Sequence, residues 1–172
     1  MAHAHPETPS RWVERWAALV KVGPVLDVAS GAGRHAKVFV ERNFRVIAVD
    51  RELQTIPGAT FVQADLEDGS PWPFAGQHFG AIVVTNYLHR PLLPVLAGAL
   101  APGGLLIYET FMAGNERFGK PSNPNYLLRP GELLQAFAAL TVVAFEQGTT
   151  EKAALQRICA IRAEANSVRI PA

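Results

Sequence analysis

VLDVASGAGRHA, residues 25–36, is the stretch that decides the fold, because an apolar strand pattern runs through an acidic and glycine-rich turn straight into a helical pattern. Gly31 and Gly33 permit positive φ and remove the Cβ atoms that would keep a ligand away from the backbone. The N-terminus of the following helix offers unpaired N–H groups and a partial positive charge. This strand–turn–helix unit predicts an α/β protein with a ligand at the turn.

Polar residues also end the apolar strand patterns downstream of this unit. They are Asp50 in VIAVD, Asp65 in FVQAD, Asn86 in AIVVTN and Glu109 in LLIYET. In an open parallel α/β sheet, ligands bind outside the carboxyl ends of the strands. We therefore expect these side chains and Asp27 to face one crevice.

The rest of the chain supplies alternating helix and strand patterns. Ser10 is suited to cap a helix through WVERWAALVK, and Gly23-Pro24 ends it. Residues 65–79 are rich in Gly and Pro and are predicted to be a loop. The predicted strands are 25–29, 45–49, 60–63, 81–85, 105–109, 141–146 and 154–163, and the further helices are 32–42, 91–100 and 130–140.

Length and composition limit the function classes. The 172 residues fit one domain, predicted over residues 10–172 behind a flexible stretch at 1–9. Sixteen basic and fifteen acidic residues leave a net charge of +1, so nucleic acid is not favoured as a partner. We expect a small-molecule partner, no membrane span, a cytoplasmic location, and a monomer or a homodimer.

No metal site is expected from the sequence. The chain has a single cysteine, Cys159, inside an apolar run, where a thiol usually behaves as a small buried hydrophobe. His3 and His5 stand in a Pro-containing terminus that we expect to be unstructured.

The acids after the strands point to a nucleoside-containing cofactor. Asp50 is placed to accept both hydroxyl protons of a ribose, and Asp65 to accept a proton from the exocyclic amine of a base. Gly31, Gly33 and Ala36 also satisfy the dinucleotide pattern. Asp27 is an additional acid that suits the cationic α-amino group of a sulfonium amino acid.

The combined motifs resemble the class I S-adenosylmethionine-dependent methyltransferases over nearly the whole chain. The matching elements are VLDVASGAGRHA, VIAVD, FVQADL, FGAIVVTNYLH and LAPGGLLIYET. The GAGR turn and short core are similar to the small bacterial enzymes of the tellurite-resistance and thiopurine type. The resemblance implies a Rossmann-like, doubly wound, mostly parallel seven-stranded sheet of order 3-2-1-4-5-7-6, with strand 7 antiparallel and helices on both faces.

The resemblance also implies the cofactor, S-adenosyl-L-methionine with S-adenosyl-L-homocysteine as product, and the residues around it. They are Asp27, Ala29, Ser30, Gly31 and Gly33 at the methionine portion, Asp50 and Arg51 at the ribose, Asp65 and Leu66 at the adenine, and Asn86 near the transferring methyl group. The Asn-Pro-Pro-Tyr type of motif is absent, which argues against N-methylation of adenine, cytosine or glutamine.

Candidates for the chemistry and for the acceptor follow the fourth and fifth strands. Methyl transfer from a sulfonium is an in-line displacement that alignment and desolvation can accelerate without a dedicated base. His89 is a candidate base and equally a solvent-facing histidine, and Tyr87 is a candidate for catalysis or for covering the adenosine. Residues 110–129 form a predicted substrate lid loop. The candidate substrate-binding residues are Arg34, Glu109, Arg117, Asn123 and Tyr126.

Three functions stay open on the sequence. The first is methyl transfer from S-adenosylmethionine to an unidentified small-molecule acceptor. The second is a nicotinamide-dependent oxidoreductase, and the third is a catalytically silent module that binds S-adenosylmethionine.

Overall fold

The centre of the fold is a run of strands buried on both faces, as expected when helices cover a parallel sheet. The computed structural model describes residues 7–169. The strands are β1 (Val25–Val28), β2 (Val46–Asp50), β3 (Ala59–Gln63), β4 (Phe79–Thr85), β5 (Leu100–Phe111), β6 (Thr141–Thr149) and β7 (Ala154–Ile161). Their order is β3-β2-β1-β4-β5-β7-β6. Strands β1 to β5 are parallel and β7 runs antiparallel to both neighbours, which confirms the predicted sheet.

The helices are shorter than predicted. They are α1 (Arg11–Ala17), α2 (Arg34–Val40), α3 (Leu93–Ala99) and α4 (Glu132–Ala136). Glycines in left-handed backbone, Gly33 and Gly131, directly precede α2 and α4 and delay their starts. A 3-10 turn at Arg90–Leu92 replaces the first turn predicted for α3. The predictions of helix over 32–42, 91–100 and 130–140 were therefore too long at their ends.

Each face of the sheet carries its own core. Leu26 and Val28 of β1 pack with α3, α4 and Phe74, whereas Val25 packs with α1 and α2. Asp27 stands between Leu26 and Val28, so strand alternation turns it toward the α1 and α2 side. Helices on both faces were predicted and are confirmed.

Two connecting segments agree with the predictions to different extents. Residues 65–79 carry no helix, as predicted, although Phe74 contributes a buried side chain to the core. Strand β5 begins and ends outside the predicted 105–109, and the β5–α4 segment (residues 112–128) contains 3-10 turns at Asn115–Arg117 and Pro124–Tyr126. A bridge between Met112 and Leu128 closes the base of this segment.

The chain before α1 is tied to the domain from Thr8 onward, because the Thr8 carbonyl oxygen accepts a hydrogen bond from Arg34. This contact lies inside the stretch predicted to be flexible, whereas His3 and His5 lie outside the described residues. Cys159 is fully buried, and burial raises its pKa to about 12.

Residues 7–169 contain neither a metal-binding cluster of side chains nor a membrane-spanning helix. Within that range no cluster of three His, Cys, Asp or Glu side chains could hold a metal ion. No helix there is long and apolar enough to cross a membrane.

Candidate active site

The glycine turn after β1 is built from left-handed backbone. Ala29 has φ 52°, Gly31 has φ 51° and Gly33 has φ 81°. A Cβ atom at Gly33 would lie 2.6 Å from Ile56 Cδ1, so this glycine is needed for packing. A Cβ atom at Gly31 would meet no protein atom within 4 Å, so this glycine faces open space. Gly31 is therefore the position where the backbone leaves room for a ligand.

Asp27 is 1% exposed beneath this turn. Its Oδ2 accepts a hydrogen bond of 2.9 Å from the Ala36 amide in the first turn of α2. Gly33 at the N-cap has no side chain to cap the helix, so Asp27 supplies that contact from the neighbouring strand. Burial raises the pKa of Asp27 to about 7, opposed by the Ala36 amide and by the positive charge of Arg34.

Asp50 ends β2 and holds the glycine turn. Its Oδ2 accepts from the Gly31 amide at 2.8 Å, and its Oδ1 accepts from the Glu52 amide at 3.0 Å. Ser30, 7% exposed, donates its own amide to the Val49 carbonyl oxygen. The Asp50 carboxylate thus stands beside the open face of Gly31, where it can also accept from a ligand hydroxyl.

The remaining predicted cofactor residues line the same edge. Arg51 and Asp65 are exposed, and Asp65 Oδ1 accepts from the Glu67 amide at 2.9 Å. Leu66 is half-buried against the core. Asn86 is exposed immediately after β4 and has φ 53°. Positive φ is strained for Ala29, whereas asparagine tolerates it at Asn86, and backbone strain concentrates at functional sites.

Tyr87 and His89 follow β4 and lie near Glu67 in the loop after β3. Burial and the nearby carboxylates of Glu67, Asp65 and Asp50 raise the pKa of Tyr87, so its phenol stays protonated at neutral pH. His89 Nδ1 lies 3.9 Å from Glu67 Oε2. Because β2 and β1 separate β3 from β4, this contact joins two loops across the carboxyl ends of the inner strands. Tyr87 is accordingly a poor general base and a suitable hydrogen-bond donor.

Glu109, a predicted substrate contact at the end of β5, makes its hydrogen bonds within the protein. Its side chain is buried, its Oε1 accepts from Ser10 Oγ at 2.7 Å, and its Oε2 accepts from Arg157 Nε. Arg34 is a second predicted substrate contact, and the charges of Glu109 and Asp27 oppose the burial that lowers its pKa. Its guanidinium donates to the Thr8 carbonyl oxygen at 3.0 Å. The side chains of Glu109 and Arg34 therefore both make hydrogen bonds within the protein.

His35, which is not among the predicted site residues, is part of the same region. It is 2% exposed, its Nε2 lies 3.1 Å from the Ser10 amide nitrogen, and its Nδ1 lies 3.1 Å from Thr85 Oγ1. Burial and the charge of Arg34 lower its pKa to about 3, so the ring is neutral. A basic residue in the first turn of a helix conflicts with the helix dipole, and this conflict was the signal available in the sequence.

The predicted lid residues are mostly at the surface of the β5–α4 segment. Arg117 is exposed and its Nε donates to the Gly114 carbonyl oxygen, while Asn123 caps its own turn through the Asn125 amide. Tyr126 is 49% exposed. Asn115 is instead 1% exposed, and its amide joins the Pro121 carbonyl oxygen to the Ala154 amide.

Arg90 is a further residue that sequence reasoning missed. Its guanidinium makes two hydrogen bonds to the Glu132 carboxylate, at 2.6 and 3.0 Å, and donates to the carbonyl oxygens of Asn125 and Leu127 at 2.9 Å each. Arg90 thereby fastens the end of the β5–α4 segment to the turn that follows β4. Its partners lie 35 to 42 positions further along the chain, beyond the reach of a local motif.

No protein-family model and no curated protein sequence matches this chain. Solved structures do match it in fold. TehB from Haemophilus influenzae superposes with a TM-score of 0.69 at 14% identity, covering 87% of this chain and 61% of its own. The glycopeptide N-methyltransferase MtfA complexed with sinefungin gives 0.61 at 19% identity, covering 94% and 97%.

A third structure has a methyl acceptor in its name. The Burkholderia thailandensis 1,6-didemethyltoxoflavin-N1-methyltransferase, with 1,6-didemethyltoxoflavin and S-adenosylhomocysteine bound, gives a TM-score of 0.60 at 20% identity, covering 90% of this chain and 78% of its own. This chain spans less than two thirds of TehB. What these structures share with this chain is the fold.

Proposed function

We propose that this chain, which has the class I methyltransferase fold, binds S-adenosylmethionine and transfers its methyl group to a small-molecule acceptor. The observation that carries the proposal is the Asp50 carboxylate, held by the Gly31 and Glu52 amides next to the open face of Gly31. Beside Gly31, a carboxylate that can accept hydrogen bonds from ribose hydroxyls lies next to backbone that no side chain covers.

The residues present fit the cofactor. Gly31 offers the space that a methionine moiety needs, and Asp27 offers a buried carboxyl group beneath it. Asp50 is available for the ribose, and Asp65 with Leu66 for the adenine, while Tyr87 can donate from above. S-adenosylmethionine supplies an electrophilic methyl group on a sulfonium, and the chain supplies alignment and exclusion of water. Ala29, Ser30, Gly33, Arg51 and Asn86 complete the proposed cofactor-binding set.

The acceptor would enter beside the β5–α4 segment. Arg117, Asn123 and Tyr126 are exposed there, and Arg34 borders the crevice from α2. Lys120 and Arg129 add positive charge, which favours an acceptor with a carboxylate or another oxyanion. A screen of acceptors in acid and methyl-ester pairs tests this preference. Equal turnover of both members of each pair would contradict it.

His89 is the proposed base where the acceptor needs one. His89 Nδ1 lies 3.9 Å from Glu67, which is two residues after the proposed adenine contact Asp65. His89→Gln should lower kcat and leave the affinity for S-adenosylmethionine unchanged, measured by steady-state kinetics and calorimetry. An acceptor that loses its proton before binding should be methylated by the variant at the wild-type rate.

The first test is calorimetric titration with S-adenosylmethionine, S-adenosylhomocysteine and NAD. We expect binding of the first two and none of the third. Asp50→Ala should weaken S-adenosylmethionine binding by about 10–100-fold, because hydrogen bonds to a charged group contribute roughly 1.5–3 kcal/mol. Asp68→Ala is the matched control, since Asp68 Oδ1 accepts from the Ser70 amide as Asp50 accepts from the Glu52 amide but lies in an exposed loop.

Each alternative function has its own result in this titration. NAD binding without S-adenosylmethionine binding would favour the oxidoreductase. S-adenosylmethionine binding with no product in a broad acceptor screen would favour the silent module. Equal affinity of Asp50→Ala and Asp68→Ala would remove the proposed ribose contact.

A further inference from the structure

The residues just before α1 are fastened to the carboxyl edge of the sheet by long-range contacts. The N-terminal strap (residues 8–10) is held by three hydrogen bonds, from Arg34 to the Thr8 carbonyl oxygen, from the Ser10 amide to His35, and from Ser10 Oγ to Glu109. They span 25 to 99 positions in sequence. Three separate elements, α2, β4 through His35, and β5, therefore meet at the strap.

In this network, His35 is buried and its contacts fix its tautomer. A backbone amide can only donate, so His35 Nε2 must accept from Ser10. The neutral ring then carries its proton on Nδ1, which donates to Thr85 Oγ1. The ring thus links the strap to the end of β4 in one orientation.

Both ends of this link adjoin residues of the proposed cofactor site. Thr85 directly precedes Asn86, and His35 follows Gly33 and Arg34 in the chain. The side chains of Asp27, Thr85 and Glu109 occupy the same face of the sheet, because each alternates with strand neighbours that pack on the α3 and α4 side. Asp27 and Asn86, both proposed for the methionine portion, therefore lie on or next to the face that the strap contacts.

We infer that His35 is a positioning residue that holds the strap across the methionine end of the crevice, and that the strap slows exchange of the cofactor there. This inference rests on the proposed function. His35 acts through Ser10 and Thr85 and is assigned no contact with substrate. Because the strap borders the end that carries the methyl group, it also forms one wall of the acceptor entrance.

A pair of amide substitutions separates the two links of His35. In His35→Gln the side-chain carbonyl reaches the position of Nε2 and can accept from Ser10. In His35→Asn the shorter amide reaches only the position of Nδ1 and can bond Thr85, so the strap is released. Loss of one hydrogen bond from a buried donor costs about 1–2 kcal/mol, which corresponds to roughly 5–30-fold in an equilibrium or rate constant.

The experiment is done on the full chain with S-adenosylhomocysteine as the probe. Hydrogen exchange of residues 7–13 and the dissociation rate of the probe in stopped flow are measured for wild type and variants. We expect His35→Asn to raise both rates by about tenfold and His35→Gln to stay within about threefold of wild type. Arg34→Lys keeps the positive charge and shortens the reach to Thr8, so it should raise both rates by about threefold.

Val38→Ala on α2 is the control for general destabilisation, because Val38 is buried and makes no contact with the strap through a hydrogen bond in the described chain. It should lower Tm and leave the dissociation rate unchanged. Equal rates in His35→Asn and Val38→Ala, or fast exchange of the strap with unchanged dissociation, would overturn the inference. Failure of wild type to bind the probe would instead overturn the proposed function and, with it, the role of the strap.

If His35→Asn fails to fold, Arg34→Lys carries the same test. An Arg34→Lys variant whose strap exchanges faster while the probe dissociates at the wild-type rate overturns the inference. Parallel acceleration of both rates supports it.

Discussion

The two halves of the carboxyl edge are built in different ways. At β1, β2 and β3, the acids contact backbone amides that are 2, 9 and 19 positions away in sequence. At β4, β5 and β7, side chains contact partners 35 to 99 positions away, as at Thr85, Glu109 and Arg90. The half proposed for the cofactor is therefore set by local segments, and the half proposed for the acceptor by tertiary contacts.

This difference between the two halves agrees with the roles proposed for them. A cofactor shared by many reactions can be held by a short motif, whereas the shape of an acceptor site depends on which distant segments meet. The stability of the two halves should respond differently to substitution, and four variants probe this from the largest expected effect to the smallest.

Asn115→Ala should lower the free energy of unfolding by about 3–4 kcal/mol, because the Pro121 carbonyl oxygen and the Ala154 amide each lose a buried partner. Urea denaturation measures the change. Asn125→Ala is the control on the same segment, since Asn125 is exposed and should change stability by less than about 0.5 kcal/mol. Similar losses in both variants would show that the segment is not anchored at Asn115.

Asp27→Asn should make stability less dependent on pH. The pKa of Asp27 is raised in the folded state, so its contribution is fully present below the unfolded value of 3.8 and is lost as pH rises through about 7. Because one unit of pKa shift corresponds to about 1.4 kcal/mol, we expect the advantage of the variant over wild type to grow by about 3–4 kcal/mol between pH 4 and pH 8. Urea titrations at both pH values measure this difference. A variant destabilised at alkaline pH would show that Asp27 is held ionised in the fold.

Arg90→Lys should lower the free energy of unfolding by about 1–2 kcal/mol, because a lysine cannot bond the Glu132 carboxylate and two carbonyl oxygens in one plane. Hydrogen exchange should accelerate in residues 122–128. Arg129→Lys is the matched control, since Arg129 also pairs with Glu132 but at 3.5 Å and with a side chain that is 77% exposed. An equal effect of the two substitutions would show that Arg90 does not fasten the β5–α4 segment more strongly than Arg129 does.

Ala29→Gly should raise the free energy of unfolding by about 1 kcal/mol, because glycine adopts φ 52° without the clash of a Cβ atom. Asn43→Gly is the control at a second left-handed position, φ 62°, where asparagine is already tolerated. Thermal denaturation compares the two. No gain at Ala29 would mean that the glycine turn after β1 carries no backbone strain.

The sequence predicted much of the fold and less of the site. The strand order was implied by the family resemblance and is confirmed, and the edge with Gly31, Asp50 and Asp65 was predicted from short motifs. Helix ends were overestimated where a glycine or a 3-10 turn shortens the first turn, as before α2 and α3. Glu109 was predicted to contact substrate because it ends a strand, but its carboxylate accepts a hydrogen bond from Arg157, which lies 48 positions later in the chain.

The sequence by itself determined the alternation of strands and helices, the glycine turn, and the acids that follow β1, β2 and β3. These depend on hydrophobic periodicity and on backbone geometry, which act within a few residues. Only the tertiary structure decided that His35 joins the strap to β4, that Arg90 fastens the β5–α4 segment, and that Glu109 is paired. Such contacts depend on which side chains the packed core brings together, and no local pattern encodes that distance.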